Sequence, residues 1–123
     1  MLVTFYGVRG SIAAPGPKTI KYGGNTSCVH VRLNDGNNVI FDAGTGIREL
    51  GFRMVRNDEP LLLLLSHGHW DHIQGYPFFA PIYQPDREIR ICQSIDSNAV
   101  SLKAILEQMD GSTFPVRSED LPS

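Results

Sequence analysis

Five consecutive leucines, Leu61 to Leu65, run directly into Ser66-His67-Gly68-His69-Trp70-Asp71-His72. A short, unbroken apolar run reads as a strand covered on both faces. Three of the chain's four histidines therefore leave the end of a rigid element and enter a loop, and such a strand end fixes where donor side chains begin. His67 and His69 are two apart, so in extended backbone both point to one side and can share one metal ion. Asp71 and His72 are adjacent and diverge, so they can face a second ion. Neutral imidazoles and a carboxylate suit zinc, and also iron or manganese. Gly68 lets the backbone turn tightly between the first two donors. The competing reading is a surface loop that happens to carry histidines, and the spacing and context together outweigh it. The helical His-Glu-x-x-His arrangement is excluded, because the spacing differs and no Glu lies in the window.

A chain of 123 residues fits one small domain, large enough to bury about two thirds of its unfolded surface. With 41% hydrophobic and 20% charged residues, the composition excludes a disordered segment. The formal net charge of -2 shows no overall basic footprint for nucleic acid, although a local basic patch is compatible with it. No apolar run approaches the length of a membrane span. Met1 to Tyr6 has neither a basic leader nor a cleavage signature, so no signal peptide is expected. Cys28 and Cys92 each fall in a strand-like apolar segment and read as two buried free thiols rather than a disulfide or metal ligands. The cytoplasm follows as the expected compartment.

Periodicity sets out the rest. A first strand is expected over Leu2 to Tyr6. It is followed by a long Gly/Pro loop through Gly7-Val8-Arg9-Gly10-Ser11, Ala14-Pro15-Gly16-Pro17 and Tyr22-Gly23-Gly24-Asn25-Thr26. Loops of that length are often functional. Its glycines could bring backbone N–H groups to an anion, and a plain connection is an equal alternative. Ser27 to Leu33 and Asn38 to Phe41 read as a hairpin around Asn34-Asp35-Gly36-Asn37. His30, on the first of these strands, reads as structural or surface rather than as a ligand. Phe41-Asp42-Ala43-Gly44-Thr45-Gly46 ends a strand and opens a helix whose inner face is Ile47, Leu50, Gly51 and Met54. Gly51 would let that helix pack closely on a sheet. Asp42 could support a metal ligand from nearby, or equally cap local amides. A short helix is expected from Asp71, kinked by Pro77 and Pro81, with the aromatic residues around them in the core. A strand over Glu88 to Cys92, a second long helix over Ser97 to Met109 and one more strand beginning near Phe114 complete the reading.

Taken together, these motifs resemble the metallo-β-lactamase fold superfamily. His67-Gly68-His69-Trp70-Asp71-His72 after a leucine strand is similar to its signature, and Phe41 to Gly46 is similar to its Asp-containing strand end. Gly7 to Ser11 with Tyr22 to Ser27, and Asp71 to Pro77, resemble a branch near ribonuclease Z and the cyclic-phosphodiesterase-like enzymes. The resemblance implies an α/β fold, a four-layer αββα sandwich. Residues 1-123 would be its N-terminal half, a mixed sheet with helices packed on one face. It implies that His67 and His69 bind one metal and that Asp71 and His72 bind a second, with Asp42 supporting them. Family members add two later histidines and a bridging aspartate. Here no histidine follows His72, and Asp86, Asp96, Asp110 and Asp120 lie in unlike contexts.

The expected function is therefore a metal-dependent hydrolase, for which the resemblance favours phosphodiester substrates, small or nucleotide-like; a lactam or thioester stays open, because the motif alone does not set the substrate. Hydroxide generated on a divalent metal would be the nucleophile, and Asp71 would be the catalytic proton acceptor. Two Zn ions are expected in the complete domain, with Mn or Fe as substitutes. The alternative is a catalytically incomplete metal-binding or interaction fragment of such a domain. No membrane partner is expected, and the chain would form a homodimer or pair with the missing half, because half a sandwich leaves a sheet face without its cover.

Overall fold

The computed structural model describes residues 1–93 and 100–123. Asp96 and the expected helix start at Ser97 lie outside the described residues. Five strands form one mixed sheet in the order of the chain: β1 (Leu2–Gly7), β2 (Cys28–Arg32), β3 (Asn38–Phe41), β4 (Leu61–Leu65) and β5 (Ile89–Gln93). β1, β2 and β3 pair antiparallel, whereas β3, β4 and β5 run parallel. The β2–β3 hairpin needs positive φ only at Gly36, where φ is 90°, while Asp35 accepts the Asn37 N–H at 3.0 Å. Each parallel step needs a crossover, and α1 (Ile47–Met54) supplies the first.

Helices cover one face. Ile47, Leu50 and Met54 of α1 bury themselves with Cys28, Ile40, Leu61, Leu63 and Leu65 in one core cluster. The core is completed by Ile73, Tyr76, Phe79 and Ile82 from the turns after β4, and by Ile105 and Met109 from the region of α2 (Val100–Glu107). Gly51 does allow a close approach, but not to the sheet. A Cβ there would stand 2.9 Å from the Ala80 amide nitrogen. The aromatic residues after the histidine motif divide: Tyr76 and Phe79 are core, while Phe78 and Tyr83 are exposed. No strand forms at Phe114. The segment makes a single bridge, Asp110 to Arg117, and Pro115 has no N–H with which to extend a ladder.

The leucine strand is covered on one face only. Leu61, Leu63 and Leu65 are buried, and Leu62 and Leu64 are half-exposed. The register extends that open face across the sheet. Val3 pairs with Val31, Val31 with Val39, and Val39 with Leu62; Phe5, Val29, Phe41 and Leu64 form a second row. Phe5 remains 67% exposed and Phe41 43%, so this face is apolar and uncovered. Cys92 pairs with Leu64 on it, which exposes a thiol expected to be buried. The expectation failed because an apolar strand was assumed to be two-sided. Cys28 lies on the covered side, and burial pushes its thiol up to about 12.

Two outcomes follow. Ellman's reagent at pH 8 should titrate one thiol in the native chain, Cys92, and two after denaturation, because the thiolate is the reacting form. Leu63→Ala should cost about 2–5 kcal/mol in urea unfolding, and Leu62→Ala clearly less. Equal losses would mean that both faces of β4 are covered in solution.

Candidate metal centre

The site is built where β3 and β4 end side by side. Asp42 immediately follows β3 and takes a left-handed backbone, φ 61°, a conformation that Asp tolerates better than most residues. Its N–H still donates to the Leu64 carbonyl at 2.9 Å. The turn swings the carboxylate across the end of β4. There Oδ1 accepts the Ser66 N–H at 2.8 Å and the Ser66 hydroxyl at 2.9 Å, and Oδ2 lies 2.8 Å from His72 Nδ1. Ser27 adds a longer contact at 3.3 Å. Asp42 thus binds a local amide, one of the two readings open for it, and lies within hydrogen-bond distance of a histidine.

An ionised carboxylate can only accept, so Nδ1 of His72 carries the proton in that contact. The lone pair is then on Nε2, which lies 3.4 Å from Asp71 Oδ2. This spacing matches the edge of a tetrahedron whose donors sit about 2.0–2.1 Å from a central ion, roughly 3.3–3.4 Å. Asp71 is itself held from the long loop by the Ser11 N–H at 2.8 Å. That hydrogen bond, with smaller electrostatic contributions from the nearby His72 and His67 rings, keeps the Asp71 carboxyl below the usual carboxylate range.

The other two imidazoles face the same cluster. The His67 ring lies 4.5 Å from that of His69 and 4.1 Å from that of His72, centroid to centroid. His67 Nδ1 is 3.0 Å from the Ser66 hydroxyl. His67, His69, Asp71 and His72 therefore gather at one sheet end, on the short helix Trp70–Ile73 and the loop before it. Their chemistry suits a divalent ion. Among the described residues, however, no three His, Cys, Asp or Glu side chains converge closely enough to hold an ion by themselves. His30 is elsewhere, buried and 2.9 Å from Asn38 Oδ1. Asp110 is committed to the Ser112 and Thr113 amides, each at 2.7 Å.

Close backbone approach makes the cluster compact. A Cβ on Gly44 would stand 2.3 Å from the Asp71 carbonyl oxygen, and one on Gly75 would stand 2.0 Å from the Gly44 carbonyl oxygen. The Ala43 N–H donates to the His72 carbonyl at 2.7 Å, and the Gly75 N–H to the Ala43 carbonyl at 2.8 Å. On the other side, Thr26 and Thr45 clasp reciprocally, each amide donating to the other's hydroxyl at 2.9 and 2.8 Å. Sequence reasoning passed over Ser66, Ser11 and this threonine pair. Ser66 alone had a visible signal, as a small polar residue between the leucine strand and the first histidine.

Over 47 residues the chain is 40% identical to a UPF0173 metal-dependent hydrolase of Enterococcus faecalis (strain ATCC 700802 / V583); the match takes in 38% of this chain. The chain spans about a fifth of that relative's length, 21%. No solved structure matches it. The family model of the metallo-beta-lactamase superfamily matches residues 22–89, a stretch that contains Asp42, the leucine strand and the whole histidine motif. With more than half of its length in that match, the chain belongs to the metallo-beta-lactamase superfamily.

Proposed function

We propose that this chain carries the first part of the catalytic centre of a metal-dependent hydrolase, with phosphodiesters as its substrate class. The observation that carries the proposal is the gathering of His67, His69, Asp71 and His72 at one sheet end, with His72 between the Asp42 carboxylate and Asp71. The Enterococcus relative's description as a metal-dependent hydrolase supports the activity. The phosphodiester class rests on the resemblance of residues 7–11, 22–27 and 71–77 to the ribonuclease Z and cyclic-phosphodiesterase-like branch.

In this proposal His67 and His69 hold one divalent ion, and Asp71 and His72 a second; zinc fits the donors, with manganese or iron as substitutes. Such an ion supplies Lewis acidity and brings the pKa of water down to about 7. The chain's own residues do the rest. Asp42 fixes the tautomer and orientation of His72. Ser11 N–H holds Asp71 in place and ionised, ready to accept a proton from the attacking water. Two protein donors per ion are fewer than the three usual at a catalytic zinc, so further donors complete the centre in the whole domain. The same shortfall supports a second reading, a fragment that binds metal without turnover. The open sheet face is the site for the second sheet of an αββα sandwich, supplied by a further segment or a second chain. Two unpaired cysteines suit a cytoplasmic setting.

Metal analysis of protein purified without chelator should find a divalent ion. Content should fall in His67→Ala and Asp71→Ala, fall ten- to a hundredfold in affinity in Asp42→Ala, and stay unchanged in His30→Ala. The 123-residue chain should hydrolyse bis-p-nitrophenyl phosphate very poorly, and adding the rest of the domain should restore turnover that requires His69 and Asp71. Robust turnover by the short chain, lost in Asp71→Ala, would overturn the donor count. Light scattering should find more than one chain per particle, because the apolar face seeks a cover. A well-behaved monomer would show that the face tolerates water.

A further inference from the structure

Charge is divided unevenly along the chain. Its first thirty-four residues hold Arg9, Lys18, Lys21 and Arg32 and no acidic side chain, although the whole chain is at -2. Three of those four cations lie on the loop between β1 and β2, which is built rather than slack. The Val8 and Arg9 amides both donate to the Asn25 carbonyl, at 3.1 and 3.0 Å, and the Ala14 amide donates to Gly24 at 2.9 Å. The Thr19 hydroxyl donates to the Ala14 carbonyl at 2.7 Å, and the Gly23 amide to the Thr19 carbonyl at 2.7 Å. A Cβ on Gly24 would stand 2.6 Å from the Ala14 backbone, so the two limbs of the loop touch.

Two hollows open on this loop, of about 340 and 510 Å³, and both are lined by Arg9, Lys18 and Thr19; Lys21 and Tyr22 line the smaller. Arg9 Nε is buried there without a hydrogen-bond partner. Among the described residues, no carboxylate pairs with Arg9, Lys18 or Lys21. A guanidinium fork flanked by two ammonium groups matches a tetrahedral dianion. The loop that carries the hollows also reaches the candidate metal centre, since Ser11, two residues beyond Arg9, donates its N–H to Asp71.

We infer that the Arg9 hollow is a subsite for a phosphate group on the substrate, bound by the Arg9 guanidinium and flanked by Lys18 and Lys21. In its link to turnover this rests on the hydrolase reading, which it deepens. The substrate would be a phosphodiester carrying a second phosphate, such as a nucleotide or short oligonucleotide, and not a neutral lactam or a thioester.

The test uses the whole 123-residue chain with chelator present, so that no metal contributes. Inorganic phosphate, thymidine 5′-monophosphate and acetate are titrated and followed by amide shifts and calorimetry. Phosphate and the nucleotide should bind saturably, the nucleotide more tightly, with shifts at Arg9, Lys18 and Gly23 and affinity falling with salt. Arg9→Gln should weaken binding at least tenfold. Lys18→Gln and Lys21→Gln, at exposed positions that do not bear on folding, should each weaken it severalfold. No saturable binding, acetate binding as tightly as phosphate, or no loss in any of the three variants would overturn the subsite. Equal affinity for phosphate and the nucleotide would overturn its assignment to substrate. Because binding is read without metal, failure of hydrolysis leaves this result standing, and the reverse also holds.

Discussion

The Asp42 carboxylate joins what the chain order separates. It ends β3 in a left-handed turn, yet it bonds the first residue after β4 and a ring on the helix beyond. Parallel strands cannot be joined by a tight turn, so β3 and β4 come together only after the α1 crossover. A carboxylate reaching across their ends locks their relative position at the point where the donor side chains begin. Removing it would leave the Ser66 amide and His72 Nδ1 without their acceptor, at a cost of about 1–3 kcal/mol for a group left unsatisfied. An asparagine could adopt the same turn, but it would offer one oxygen where Asp42 uses two.

The glycines follow from the same constraint. Once Asp42 must reach His72, the chain after it has to pass against the Asp71 and His72 backbone, which leaves no room for a Cβ on Gly44 or Gly75. Their absence of side chains is therefore a packing requirement rather than a need for unusual φ. The Thr26–Thr45 clasp carries the lock outward to the long loop, and Ser11 brings that loop back to Asp71. Loop, turn and short helix are thus linked by hydrogen bonds into one set beside the imidazoles. Such support keeps donors near a productive geometry even when they are too few to hold an ion alone.

Much of this was legible in the chain itself. Alternation and turn residues gave the β2–β3 hairpin, and β3, α1 and β4 fell where the periodicity put them, because these are local signals. The grouping of His67, His69, Asp71 and His72 was legible because the donors are neighbours in sequence. The contacts of Ser11, Thr26 and Ser66 were not, since they depend on a loop folding back over tens of residues. Leu61 to Leu65 misled in one respect. An apolar run states that both faces avoid water, but not whether the second cover belongs to the same segment of chain. Cys92 was misjudged for the same reason, since it shares that uncovered face with Leu64. Phe114 to Arg117 carried strand-like residues, but Pro115 lacks the N–H that would have made them a strand.

The open face and the basic loop would place different demands on the further segment or second chain of the proposed whole centre. The face is a continuous apolar surface from Val3 to Leu64, interrupted near β5 by Arg90. It favours a broad, flat partner whose burial is driven by area alone, at about 25 cal/mol per Å². The loop presents charge at one end of the sheet, where area contributes little and direction matters more. A second sheet laid on the apolar face satisfies the first demand without touching the second. The cations around Arg9 would then stay at the rim beside Asp71 and His72, facing solvent and any anionic substrate. The chain's acidic excess lies entirely after Asn34, so the loop keeps its positive character despite the negative total.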